Sequence, residues 1–208
     1  MTALELLETR SRRMTIDEWM ALDEDEPGEI VDDVLVEEEM PSNLHEVVAA
    51  FLLGLFRAWI VPRGGLAFGS ELKLVVRPKR GRKADACAYL PGQKLPGRHR
   101  RATTRPPAIV VEVLSPRPRD VRRDTIDKLA EYAAFGVRYY WLVDPLARTL
   151  EILELRQGAP AQILLAAAEG SHAVPGCEGL VVDLTAMWSE IDRLPDDDED
   201  GDGPDQPG

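Results

Sequence analysis

The chain has 208 residues, 44% of them hydrophobic, which suits one domain with a core that needs no covalent staples. Its two cysteines, Cys87 and Cys177, lie far apart and fit neither a disulfide framework nor a paired-thiol metal knuckle, so reduced thiols in a cytoplasmic protein are expected. The net charge of −12 excludes a uniformly basic binding surface, but the charge is segregated: fifteen acids face three basic residues in 1–46, and fourteen basic residues face three acids in 77–123.

Residues 15–26 read as a short helix, with Thr15 as its cap and Glu18 three positions on. Pro27-Gly28 ends it, and EIVDDVLVEEEM reads as a hairpin around Asp32-Asp33. A mostly buried helix follows from the Asn43-x-x-Glu46 cap to about Ile60, leaving Glu46, Ala50, Leu53 and Arg57 on its open side. It contains the longest apolar run, VVAAFLLGLFRAWI, which Arg57 interrupts and which falls short of a bilayer span, so no membrane association is expected. The opening MTALELLETRSRR likewise lacks the order of a secretory signal.

Three strands come next: ELKLVV, then ADACAYL after the basic turn RPKRGRK, then AIVVEVL after a Pro/Gly/Arg loop over 91–107. Residues 120–135 form an amphipathic helix that Gly136 ends, and RYYWLV, TLEILEL and AQILLAA read as further strands. GLVVDLTAMW adds a short strand and helix. The order predicts an α/β fold, a mixed β-sheet flanked by helices and preceded by the N-terminal helix and β-hairpin, within one domain over 1–190. Residues 191–208, ending in DDDEDGDGPDQPG, are too acidic and simple to pack and are expected to form a disordered tail.

One carboxylate is out of place. Glu112 sits in IVVEVL, a strand apolar enough to be buried on both faces, where an ionised group needs cationic company. Strand alternation puts Asp85 on one face of ADACAYL with Cys87 and Tyr89, and neighbouring strands would let Asp85 and Glu112 project together. Paired carboxylates repel unless a divalent cation sits between them, and oxygen ligands suit Mg²⁺ or Mn²⁺. On a helical wheel Lys128 falls in the apolar sector between Phe135 and Val121, while Asp124, Asp127 and Glu131 gather elsewhere. An inward lysine is what a buried Glu112 requires. Asp, Glu and Lys so arranged are the parts of a metal-dependent phosphodiesterase.

Three stretches carry a family likeness: EIVDDVLVEEEMPSNLHEVVAAFL, RKADACAYL, and IVVEVLSPRPRDVRRDTIDKLAEYAAFGVRYYWLVDP. The chain resembles, over roughly residues 15–190, the Uma-two family of restriction-endonuclease-like proteins, within the PD-(D/E)XK nuclease superfamily. The resemblance implies Mg²⁺- or Mn²⁺-dependent cleavage of nucleic acid, with DNA the expected substrate and a homodimer favoured if both strands of a duplex are cut. It makes Asp85 the motif's aspartate and Glu112 its acidic partner, with the backbone carbonyl of Val113 as a further metal donor. Ala84 stands where the motif has proline, and Leu114 where it has lysine, a role that passes to Lys128. His45, Glu71, Asp124 and Tyr132 are candidates to support the metal ligands. Arg98, Arg100, Arg101, Arg117, Arg119, Arg122 and Arg123 would grip the phosphate backbone without reading sequence. The other reading is a catalytically inactive protein that keeps the fold and binds nucleic acid or a protein partner.

Overall fold

A computed structural model describes residues 11–23, 28–36, 41–115, 121–156, 160–167 and 169–195, with the backbone alone over 121–125. Strand β1 (Ser11–Arg13) leads to α1 (Ile16–Ala21), which Thr15 and Glu18 open with the reciprocal capping box read from the sequence. Strands β2 (Glu29–Val31) and β3 (Val34–Val36) form the expected hairpin, and Asp32 and Asp33 take φ of 51° and 64° at its two-residue turn. Helix α2 (Asn43–Ile60) is capped by Ser42, one residue before the expected Asn43, because the Ser42 hydroxyl accepts from the His45 N–H.

Strand β4 (Leu66–Gly69) precedes β5 (Lys73–Arg77), β6 (Arg80–Lys83), β7 (Ala86–Tyr89) and the short β8 (Ala102–Thr103). Then come β9 (Ile109–Val113), α3 (Val121–Phe135), β10 (Tyr139–Asp144), β11 (Thr149–Leu155), β12 (Pro160–Ala167), β13 (Ser171–Ala173), β14 (Val181–Asp183) and α4 (Leu184–Ile191). Gly136 ends α3 at φ 105°, where its own N–H and that of Val137 both reach the Tyr132 carbonyl.

The strands divide into two six-stranded sheets and a two-stranded one, β13-β14. The first, in order β12-β11-β10-β9-β7-β4, is the mixed sheet expected: β9 and β10 run parallel around the α3 crossover, and the other pairs are antiparallel. One face packs on α2 and α4 through Phe56, Trp59, Trp141 and Trp188, and the other on α3 through Cys87, Tyr89, Val110, Tyr132 and Tyr140. The second sheet, β1-β3-β2-β6-β5-β8, was not foreseen as separate, because RPKRGRK reads as a turn around its Pro and Gly. Lys79 makes that turn at φ 66°, and Arg80–Lys83 is a strand with Arg82 and Lys83 buried. Two cations of the basic middle, Arg82 and Lys83, therefore point inward.

Trp19 explains Gly81. A Cβ at residue 81 would stand 2.3 Å from the Trp19 ring, which is fully buried and donates its indole N–H to the Gly28 carbonyl at 3.0 Å. Gly81→Ala is expected to destabilise the fold by about 2 kcal/mol or more, since the ring has no room to yield. Thermal unfolding measures it, and an unchanged midpoint would mean that the ring can shift.

One expectation about α2 needs correcting. Residues 43–63 form a segment of mean hydropathy 1.7, long and apolar enough by length and composition to cross a bilayer. Arg57 does not dilute it as much as expected. In the fold, its Val48, Leu52, Phe56, Trp59 and Ile60 face is buried against the sheet.

Candidate active site

Strands β7 and β9 are antiparallel neighbours with Ala86 opposite Val111, and the same register sets Asp85 across from Glu112. The chain bends at Asp85, so β7 begins only at Ala86. Cys87 and Tyr89 face the α3 side, yet Ala84 joins them there, which breaks strict alternation at residue 85. Asp85 sits at that bend, just ahead of the regular strand. Its carboxylate closes the end of the strand: Oδ2 accepts the Val113 N–H at 2.6 Å, and Oδ1 lies 3.2 Å from His45 Nε2 at the start of α2. His45 is buried, and burial opposes its protonation, but the hydrogen bond and charge of Asp85 outweigh this and raise its pKa.

Glu112 is only 8% exposed, and the cation that its apolar strand demanded is present. Lys128 Nζ donates to Oε2 at 2.9 Å, and the Tyr132 hydroxyl donates to Oε1 at 2.7 Å. Both come from α3, one turn apart, on the face packed against β9. Burial pushes the Glu112 carboxyl up to about 7; Lys128 pulls the other way, while Asp85 and Glu29 push further upward. Burial also holds the Tyr132 hydroxyl well above its ordinary value, so it stays a donor.

Behind this pair lies a second ionic layer that sequence reasoning missed. Glu29, on β2, accepts the Lys83 N–H at 3.0 Å with Oε1, which is also 3.6 Å from Lys128 Nζ. Its Oε2 meets Arg82, whose Nε donates to Glu131 at 2.7 Å, and Arg80 Nη1 donates to the other Glu131 oxygen at 2.6 Å. Glu131 is thus buried, not part of an exposed acidic stripe with Asp127. The wheel misplaces it because the cations opposing it lie on β6, a strand read as a turn. Alternation along Glu29-Ile30-Val31 was the available signal: Ile30 packs on Trp19, so Glu29 faces away from that cluster.

The remaining candidates divide. Glu71 lies before β5 with an exposed side chain, paired to Lys83 Nζ at 3.0 Å. Arg101 donates to the Ala21 and Leu22 carbonyls and to Asp23 at the end of α1. Arg98 is exposed. Arg100 lines a cleft of about 390 Å³ with Ser70, Glu71 and Lys73, and its guanidinium makes no ion pair among the described residues. Arg117 and Arg119 lie outside the described residues, as do the side chains of Arg122, Arg123 and Asp124. Among the described residues no three His, Cys, Asp or Glu side chains converge as metal ligands. A hard divalent ion that keeps several waters needs only one or two carboxylates from a protein, and carboxylate oxygens are its preferred donors.

Comparison with known proteins identifies the family. The sequence model of the Uma2 family, described as "Putative restriction endonuclease", matches residues 16–187. The chain belongs to this family. The matched span contains both large sheets in all but β1, and every site residue discussed above. A crystal structure described as a "putative nuclease belonging to DUF820", from Anabaena variabilis, superposes with a TM-score of 0.66 at 18% identity, over 85% of this chain and 98% of that one. That likeness bears on the fold, which the Uma2 chain shares. No curated protein matches the sequence.

Proposed function

We propose that this Uma2 protein hydrolyses phosphodiester bonds of nucleic acid with the help of a divalent cation, DNA being the expected substrate. The observation that carries the reading is the register that sets Asp85 across from Glu112 on adjacent strands, with Lys128 of the crossover helix bonded to Glu112. Asp85, Glu112 and the Val113 carbonyl would hold Mg²⁺ or Mn²⁺. When bound, such an ion polarises a phosphate and lowers the pKa of water beside it.

The protein's own groups do the rest. Tyr132 and Lys128 fix both oxygens of Glu112, and Val113 N–H and His45 fix those of Asp85, so the acids are aimed before any ligand arrives. The Lys128 ammonium is a donor placed to meet charge that develops on phosphate oxygens. Arg98 and Arg100, both exposed, stand outside this centre as candidate contacts to the phosphate backbone. A non-catalytic binding protein is the second reading, favoured by the lack of three converging side-chain ligands among the described residues.

A cleavage assay with Mn²⁺ or Mg²⁺ on single- and double-stranded DNA and RNA separates the two readings. The nuclease reading expects metal-dependent cutting that Asp85→Asn abolishes. It also expects Mn²⁺ at roughly a hundredfold excess over its dissociation constant to raise the melting temperature by on the order of 5 °C in the wild type only. Neither cutting nor a shift would leave the binding reading.

A further inference from the structure

Glu29 is a buried acid to which the nuclease reading gives no task. It belongs to the N-terminal sheet, yet its Oε1 reaches within 3.6 Å of Lys128 Nζ, on the far side of the ammonium's partner Glu112. It meets Arg82 through Oε2, which leaves Oε1 to the Lys83 N–H and to the Lys128 ammonium. Arg80 and Arg82 both reach Glu131, whereas Lys128 lies within ion-pair reach of two buried carboxylates, Glu112 and Glu29. Burying an acid costs stability, so the second carboxylate beside this ammonium calls for a purpose.

A divalent cation supplies one. Bound at Glu112, it would repel the Lys128 ammonium. A lysine that left the site on metal binding could not act there. Glu29 Oε1 is a second carboxylate against which the ammonium can remain, and the Lys83 N–H and Arg82 hold that carboxylate still. Glu29 lies against the cations of Lys128 and Arg82, which oppose a metal ion there, so it acts on Lys128 and not on the ion.

We propose that Glu29 is a positioning residue that retains the Lys128 ammonium beside Glu112 when a divalent cation is bound. The proposal rests on the nuclease reading of the site. Glu29→Gln tests it, because the amide oxygen can still accept the Lys83 N–H but carries no charge. Three readouts apply to the full chain: the steady-state constants, the Mn²⁺-induced melting shift, and the rate at which an amine-acetylating reagent modifies Lys128, followed by mass spectrometry with and without Mn²⁺.

The expected result is a kcat lower by about 10- to 100-fold with KM for DNA unchanged, since only a group acting in the transition state has been displaced. The Mn²⁺ melting shift should be retained. Acetylation of Lys128 should rise several-fold in the variant when Mn²⁺ is present and little in its absence, and Glu29→Asp should recover part of each effect. Loss of the melting shift would make Glu29 a ligand and overturn the proposal. So would acetylation that rises equally with and without Mn²⁺, which would mean a purely structural partner of Arg82. Cleavage absent with the acetylation contrast present would sink the nuclease reading alone, and the converse would sink the role of Glu29 alone. If Glu29→Gln does not fold, Glu29→Asp carries the same contrast at smaller size.

Discussion

Lys128→Ala is expected to lower stability by about 3–5 kcal/mol at pH 8, because it leaves the Glu112 carboxylate buried beside Glu29 and Asp85 without its ammonium. For a domain of this size that is a fall of about 10 °C in melting temperature. The loss should shrink near pH 5.5, where Glu112 can take up a proton instead of remaining charged. Lys128→Met combined with Glu112→Gln should recover most of the stability at pH 8, since the cost lies in the orphaned charge and not in the absent ion pair. Activity does not follow stability here. Both the single and the double variant should lose about 100-fold or more in metal-supported DNA cleavage, as one positioned cation near a reacting phosphate is worth that much. Cleavage that survived Lys128→Ala unchanged would remove the residue from the mechanism. Equal stability of the single variant at both pH values would mean that Glu112 is not held charged by Lys128.

Lys128 also shows how far the sequence can be read. Glu112 in an apolar strand and Lys128 in the apolar sector of the next helix each violate local patterning, and the two violations cancel when 2.9 Å separates them. Local rules failed at the site, and so the site was legible. The parallel β9–α3–β10 unit, the capping box at Thr15 and the Asp-Asp hairpin were legible for the opposite reason, because pattern and turn chemistry agree there. The second sheet was not. Its β6 strand, Arg-Gly-Arg-Lys, has almost no strand propensity, and it forms because Glu29, Glu71 and Glu131 neutralise its side chains and Trp19 fills the space over Gly81. The three acids are distant in sequence, between 12 and 54 residues away, and no single-segment pattern encodes them. Glu29 and Glu131 were missed with the strand. The position of Asp85 depends on a bend just before β7, and alternation alone cannot foresee a bend.

Raising the pH from 5 to 8 should weaken the metal-free protein. The Glu112 carboxyl titrates near 4.5 when unfolded and at about 7 when folded, chiefly because burial disfavours its charge. A folded value above the unfolded one means that the native state binds this proton more tightly. Its contribution is therefore complete below pH 4.5 and is lost as pH rises through about 7, and the separation of the two values is worth about 3 kcal/mol. His45 acts in the same sense, since Asp85 raises its pKa against the opposing effect of burial, and protonation of its imidazole favours the fold until it is lost on the alkaline side. Asp32 and Glu154 are held low by Arg80 and Arg156, so what they contribute is lost only in more acidic solution. The metal-free protein should thus be most stable in mildly acidic buffer. A divalent cation reverses the slope, because it binds the ionised carboxylate and stabilises the form that burial penalises. Denaturant midpoints across pH 5 to 8, with Mn²⁺ and with a chelator, should therefore diverge as pH rises, and Glu112→Gln should bring the two curves together. Parallel curves in the wild type would show that nothing at Glu112 exchanges a proton for a metal ion, and the case for a metal-dependent nuclease would lose its electrostatic basis.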